Sequence, residues 1–303
     1  MAQASGVRTQ ISHLKAAGKP NWGKVRPAVE LIERAREQGY DVAFDLYPYT
    51  AGSTFLGALT PPWAQEGGPS AMLARFADPS LRPRLKRAME EGDEGWPSFP
   101  GARSFLPENI FISSVGSEEG QRWVGRSLAE VAALRGQEPW EAFFDLLVEE
   151  KGQVTGVVHL MSEEDVRFLL TIPYGAIGSD GLAIAPKGHW LKSRPHPRFY
   201  GTFPRVLGLY ARQEGILPLE EAVRRMTSLP ASRLGWKDRG VIREGAAADL
   251  VVFDPQRVQD TATFEEPHRF PTGIEFVFVN GEMVLRSGEH TDARPGKVLR
   301  RAT

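Results

Sequence analysis

Residues 7–47 read VRTQISHLKAAGKPNWGKVRPAVELIERAREQGYDVAFDLY and contain the order of elements that decides the fold. Val7–Leu14 alternates and is rich in β-prone residues, which predicts a strand. The spacing in residues 27–38, with Pro27 at the start, predicts a helix, and residues 41–47 again predict a strand. Strand–helix–strand order is typical of parallel strands joined by right-handed crossovers, as in (β/α) barrels. We therefore predict an α/β fold.

The next segment, residues 51–155, has a looser pattern with stretches rich in proline and glycine. Two helices are expected within it, at Arg82–Glu91 and Ser127–Lys151, together with a short strand at Phe111–Val115. We interpret this segment as a long excursion from one loop of a barrel.

Regular alternation returns with VTGVVHL at residues 154–160. A helix over Glu163–Leu170 follows, and then an apolar strand that ends in Ser179-Asp180-Gly181. A strand that ends on an acidic residue directs that residue into the loop face of the sheet.

The tail is expected to be a small β-rich domain. A helix at Leu219–Thr227 precedes it, and two short strands are predicted within it, at Asp249–Phe253 and Ile274–Val279. Asn280-Gly281 indicates a hairpin turn, because both residues tolerate positive φ. The predicted divisions of the chain are 1–50, 51–155, 156–239 and 240–303.

Composition narrows the class of function. The 37 Lys and Arg residues nearly balance the 38 Asp and Glu residues, so no global field favours nucleic acid or an anionic membrane. The chain has no cysteine, which excludes disulfides and thiolate metal ligands from its own residues. No secretory leader or membrane-spanning run is recognisable, so we expect a cytoplasmic protein that binds a small molecule.

His13 and Lys15 lie at the end of the first predicted strand. In a barrel, the carboxyl ends of the strands face the mouth of the active site, so a histidine there can ligate a metal. Lys15 leaves the chain on the same side, because side chains alternate along extended backbone. Taken alone, a histidine of this kind is more often structural than a metal ligand, and Lys15 alone indicates a solvated charge.

Tyr47 and Asp180 end the other two strands of this pattern. The phenol of Tyr47 can reach a carboxylate, although two tyrosines supporting a turn explain Tyr47 and Tyr49 as well. Asp180 can take a proton from an attacking water and deliver it to a leaving nitrogen, or it can simply cap a turn. Arg198 can hold a carboxylate with its planar fork, or be a surface residue, and His196 beside it is ambiguous.

Several segments together resemble the D-aminoacylase (N-acyl-D-amino-acid deacylase) family of the amidohydrolase superfamily. They are ISHLKAAGKPNWGK, DLYPYTAGST, IGSDG, HPRFYGTFPRVLG, TSLPASRLGW, RGVIREGAAADLVVFDP and VNGEMV, in that order. The resemblance implies barrel strands six to eight of a (β/α)8 TIM-type barrel followed by the small β-rich domain. It also implies a divalent metal, usually zinc, and hydrolysis of the amide of an N-acyl-D-amino acid.

The same resemblance assigns roles by position. His13 matches a metal-ligand histidine, and Asp180 matches the residue that acts as general base and then general acid. Lys15, Tyr47 and Arg198 match groups that bind the α-carboxylate of the substrate.

Other metal ligands of the family, a His-x-Asp or His-x-His pair, a cysteine and a further histidine, have no match here. We therefore expect the chain to be the C-terminal part of such an enzyme, weakly active or inactive alone. A fragment of a longer protein is the favoured explanation, and a partner chain that supplies the other half of the barrel, or a homo-oligomer, is the alternative. The alternatives are a different amidohydrolase, of the cyclic amidase or deaminase type, and a non-catalytic half-barrel.

Overall fold

The computed structural model describes residues 2–96 and 106–300. In chain order the strands are β1 (Thr9–Ile11), β2 (Val42–Leu46), β3 (Ala51–Phe55), β4 (Ile110–Val115), β5 (Val154–His159), β6 (Gly175–Ile177), β7 (Leu250–Phe253), β8 (Ile274–Val279), β9 (Glu282–Arg286) and β10 (Glu289–His290). The α-helices are α1 (Ala2–Ser5), α2 (Val25–Glu37), α3 (Pro62–Gln65), α4 (Gly68–Ala77), α5 (Arg82–Glu91), α6 (Leu128–Arg135), α7 (Pro139–Glu149), α8 (Glu163–Leu170), α9 (Arg198–Arg205), α10 (Leu219–Met226) and α11 (Ser228–Leu234). A π-helical stretch, Val206–Gln213, continues α9.

A parallel sheet of order β1-β2-β6 organises the first part of the fold, with both pairs of strands parallel. The predicted strand–helix–strand unit is confirmed, because α2 connects β1 to β2. Val25, Val29 and Ile32 recur at helical spacing on α2 and are buried. Burying each of these side chains contributes about 1.5–3 kcal/mol, so their apolar face holds the helix in the core.

The segment between β2 and β6 forms a second sheet, antiparallel, of order β3-β5-β4. The predicted helix at Arg82–Glu91 is confirmed as α5. The single helix expected over Ser127–Lys151 is wrong, since α6 and α7 are separate helices. Gly136 ends α6 in the left-handed conformation, and Pro139 begins α7, as glycine and proline commonly do at helix ends.

Strand β5 differs from its expected place in the fold. It pairs with β3 and β4 rather than with the parallel sheet. The predicted division between residues 155 and 156 therefore falls inside a strand of the inserted segment. Hydrogen bonding and not periodicity decides which sheet a strand joins, because both sheets accept an apolar alternating strand.

The tail forms a four-stranded antiparallel sheet of order β10-β9-β8-β7. Asn280 and Gly281 both have positive φ, 49° and 83°, and connect β8 to β9. The predicted hairpin and β-rich tail are confirmed. No helix in residues 2–96 and 106–300 is long and apolar enough to cross a membrane.

Among the described residues, two clusters of buried apolar side chains support the sheets. One lies within the inserted segment and includes the fully buried Phe143 and Phe144. The other packs around the parallel sheet and includes Phe44 and Tyr210. Arg225 is fully buried in this region and donates hydrogen bonds to the carbonyl oxygens of Leu170 and Gly175, which anchors the start of β6.

Candidate functional site

The carboxyl ends of β1, β2 and β6 lie at the same edge of the parallel sheet, because the three strands run in the same direction. His13 and Lys15 follow β1, Tyr47 follows β2, and Asp180 follows β6. The geometry therefore brings the predicted residues to one side of the fold, as expected for the strand ends of a barrel-type sheet.

Two of these residues have an unusual backbone. His13 and Asp180 have φ angles of 42° and 49°, in the left-handed region that most residues avoid. The backbone N–H of His13 donates to the carboxylate Oδ1 of Asp45 at 2.7 Å, which stabilises this turn. Strained conformations of this kind concentrate at functional sites, so both positions merit a functional interpretation.

Arg198 reaches the strand ends from the start of α9. Its side chain is only 5% exposed, and its Nη1 lies 2.9 Å from Oδ2 of Asp180. Its Nη2 donates to the carbonyl oxygen of Ser53 at 3.3 Å, while Nε is buried without a hydrogen-bond partner. The guanidinium is thus held at the site by its contacts to Asp180 and Ser53.

Lys15 and Arg198 both approach the ring of Tyr47. Lys15 Nζ lies 5.1 Å and Arg198 Cζ lies 4.7 Å from the ring centroid, within the range of cation–π attraction. Two cations and a phenol therefore converge beside the carboxylate of Asp180.

The protonation of this group follows from its burial. Burial lowers the pKa of Lys15 to about 8, an effect that Asp180 opposes and Arg198 reinforces. Burial also raises the pKa of Tyr47 to about 12, and Arg198 opposes that rise. At pH 7 the amine is therefore mostly charged and the phenol neutral, so both can donate hydrogen bonds to an anion.

His196, which the sequence left ambiguous, has a positioning role. It is fully buried, and burial lowers its pKa well below the ordinary value. Its Nδ1 accepts the backbone N–H of Arg198 at 3.0 Å. Nε2 therefore bears the proton and donates to the carbonyl oxygen of Ala51, 2.8 Å away. The neutral ring connects the start of α9 to β3 and so fixes the position of the Arg198 backbone.

Sequence reasoning assigned no role to Asp45, Ser53 or the wall of the adjacent cavity. Asp45 accepts hydrogen bonds from His13 and from Gln10 Nε2, the latter at 2.9 Å. Its position near the end of β2, two residues before Tyr47, was a usable signal. Ser53 acts through its backbone carbonyl, which no pattern of side chains reveals.

A cavity of about 490 Å³ opens beside Asp180 and Arg198. One wall comes from the antiparallel sheet of the inserted segment, and another comes from residues between β6 and α9. Its volume lies within the range of about 300–1,000 Å³ that is usual for small-molecule sites.

The residues do not make a complete metal site. His13 has an exposed side chain at the strand ends and can supply one ligand. Across residues 2–96 and 106–300, no group of three or more His, Cys, Asp or Glu side chains is arranged to hold a metal ion. Structural and catalytic zinc sites use at least three protein ligands, so a lone imidazole does not fit one.

A sequence model of the amidohydrolase family matches residues 113–285, which is more than half of the chain. Over 97% of its length the chain is 38% identical to a D-aminoacylase of Alcaligenes xylosoxydans xylosoxydans, and covers 49% of that protein. Over 99% of its length it is 34% identical to an N-acyl-D-glutamate deacylase of the same organism, and covers 50% of it. The chain thus spans about half the length of these relatives.

Solved structures agree with this similarity. A D-aminoacylase mutant in complex with CuCl2 superposes with a TM-score of 0.74 at 33% identity, over 99% of this chain and 51% of that one. The N-acyl-D-glutamate deacylase of Bordetella bronchiseptica, complexed with zinc and a phosphonate inhibitor, gives 0.73 at 34% identity, with 99% and 51% covered. These relatives bind metal, whereas the residues described above supply at most a part of such a site.

Proposed function

The chain belongs to the amidohydrolase family, and on that premise we propose that it provides substrate binding and proton transfer in the hydrolysis of N-acyl-D-amino acids. The single observation that carries the proposal is the convergence of Lys15, Tyr47 and Arg198 beside Asp180. Within this proposal, β1, β2 and β6 are strands six to eight of a (β/α)8 barrel.

The three donors suit the α-carboxylate of the substrate. Arg198 supplies a planar fork, Lys15 a point charge and Tyr47 a neutral hydroxyl. Each terminal nitrogen of the guanidinium carries two N–H groups, so Arg198 can add a bond to a ligand without releasing Asp180. An anionic group beside this cluster would be stabilised by both cations.

Asp180 is placed to move the proton. Its side chain is 43% exposed, so water reaches it, and its ion pair with Arg198 fixes its orientation. The carboxylate takes a proton from the water that attacks the acyl carbonyl, and a C–O bond forms. It then delivers that proton to the nitrogen as the C–N bond breaks, which releases a carboxylic acid and the free D-amino acid.

A zinc ion is part of the proposed complete enzyme, with His13 as one ligand. The ligands that the described residues lack would come from the remainder of the barrel, in another segment of polypeptide or a partner chain. No step of the proposed proton transfer depends on geometry at that ion. The isolated chain is accordingly expected to bind the substrate but to hydrolyse it slowly or not at all.

The alternatives are less well supported by the site. A cyclic amidase or deaminase has no need for three donors that converge on a free carboxylate. A non-catalytic half-barrel would not need the acid beside them. The joint arrangement of Asp180 with Lys15, Tyr47 and Arg198 favours a deacylase over both.

Reconstitution tests the proposal. The chain would be combined with the complementary half of the Alcaligenes D-aminoacylase and zinc, assembly verified by size-exclusion chromatography, and release of D-leucine from N-acetyl-D-leucine measured. Asp180→Asn should lower kcat by about 10²–10⁴-fold, the usual contribution of general acid–base catalysis. The matched control is Asp238→Asn, because Asp238 is an exposed acid in the loop that follows α11. Full turnover by Asp180→Asn would contradict the proposed role.

A further inference from the structure

The residues that line the cavity beside Asp180 favour one class of substrate side chain, whereas sequence identity does not. The relatives include a D-aminoacylase at 38% identity and an N-acyl-D-glutamate deacylase at 34%, which is too small a difference to choose between neutral and acidic side chains. We propose that this cavity admits an uncharged, largely apolar D-side chain and discriminates against the carboxylate side chains of D-glutamate and D-aspartate. The inference rests on the proposed function.

The sheet-facing wall of the cavity is neutral. Ser113, Ser114 and Thr155 line it, and the hydroxyls of both serines lie 2.6 Å from Oγ1 of Thr155. These hydroxyl groups therefore satisfy one another. None of them offers the charge that a buried carboxylate needs, since burial of an unpaired charge is strongly unfavourable.

Apolar side chains also line the cavity. Phe55 and Leu182 line the cavity with exposed fractions of 64% and 59%, and Phe199 and Val115 line it as well. Large apolar side chains that are left exposed at a cavity gain from covering by another apolar group, because that removes their surface from water. An aliphatic or aromatic side chain supplies that cover, whereas a carboxylate does not.

Charge strengthens the discrimination. Among the described residues that line the cavity, Arg198 is the one cation and Asp180 the one acid. Arg198 already contacts Asp180 and is assigned to the α-carboxylate, so a second carboxylate would meet no free cation. It would also be repelled by Asp180, since like charges in a partly buried site oppose ionisation.

The neighbouring basic residues are placed elsewhere. Lys192 forms an ion pair with Glu118. Arg194 lines a separate cavity with His159 and Glu265. Neither residue is among those that line the cavity beside Asp180, so neither supplies the missing positive charge.

Equilibrium binding to the full chain tests the inference. Isothermal titration calorimetry at pH 7 would compare N-acetyl-D-leucine with N-acetyl-D-glutamate. The leucine ligand should bind at least about tenfold more tightly, which corresponds to about 1.4 kcal/mol. Leu182→Arg places a cation at the wall and should raise the affinity for N-acetyl-D-glutamate relative to N-acetyl-D-leucine. Leu134→Arg is the matched control, because Leu134 is 61% exposed and does not line the cavity.

The outcomes separate the two proposals. Binding of N-acetyl-D-glutamate as tightly as N-acetyl-D-leucine would overturn the side-chain inference and leave the proposed function standing. The same selectivity in Leu182→Arg as in Leu134→Arg would also overturn it. If neither ligand binds, the proposed function itself fails.

Discussion

Replacement of Arg198 by lysine separates charge from geometry at the carboxylate site. The substitution keeps a cation but removes the planar fork, whose Nη1 and Nη2 contact Asp180 and Ser53. A hydrogen bond to a charged group contributes about 1.5–3 kcal/mol. Loss of one such bond to the ligand should therefore weaken binding of N-acetyl-D-leucine by about 10- to 150-fold.

The folding cost of this substitution should be smaller than for a fully buried pair. Removing one member of a buried ion pair costs about 3–5 kcal/mol, but Asp180 is 43% exposed and water can solvate it. Circular dichroism would verify that Arg198→Lys is folded. Arg34→Lys is the control, since Arg34 is 57% exposed on α2.

Calorimetry on two ligands provides the readout. N-acetyl-D-leucine and N-acetyl-D-leucinamide differ only in the carboxylate, so the amide should bind Arg198→Lys and the unaltered chain almost equally. Equal weakening of the acid and the amide would refute the assignment of Arg198 to the carboxylate. Undiminished binding of the acid would refute it as well.

Two further predictions concern Lys15 and His196. Burial favours the neutral amine of Lys15, whose pKa is about 8, so affinity for N-acetyl-D-leucine should fall as the pH rises through about 8. Calorimetry should show that this pH dependence disappears in Lys15→Met. Its persistence in that variant would contradict the role of Lys15. His196→Phe leaves the N–H of Arg198 and the carbonyl of Ala51 without partners, each at a cost of about 1–3 kcal/mol. Urea unfolding should register this loss, with His290→Phe, at an exposed position of β10, as the control; equal unfolding free energies for the two variants would argue against the positioning role.

Local pattern predicted the elements well where one periodicity ran uninterrupted. Helix Glu163–Leu170 and strand Ile274–Val279 have the predicted bounds. The helix expected over residues 127–151 was broken by Gly136 and Pro139, whose signals were present but were outweighed by the apolar run around them. Pairing of β5 with β3 and β4 was not predictable, because it depends on contacts between distant segments.

The candidate site, too, was predictable where it depends on local sequence and not where it depends on contacts between distant segments. Lys15, Tyr47 and Asp180 could be placed at one edge because each follows a parallel strand, and parallel strands end together. The approach of Arg198 to Asp180 depends on the path of residues 181–197, which the sequence alone does not give. The role of His196 could not be predicted from the sequence either, since it depends on a hydrogen bond to Ala51, 145 residues away.

In the proposed function, Lys15, Tyr47, Arg198 and Asp180 form the carboxylate-binding and proton-transfer part of a D-specific deacylase. The most direct test is turnover of N-acetyl-D-leucine and of N-acetyl-L-leucine by the reconstituted, zinc-loaded assembly. If the carboxylate, the amide and the side chain occupy their three places together, only the D-enantiomer should be hydrolysed, and Asp180→Asn should lower its kcat by about 10²–10⁴-fold. Equal hydrolysis of both enantiomers, or an unchanged kcat for N-acetyl-D-leucine in Asp180→Asn, would contradict this assignment.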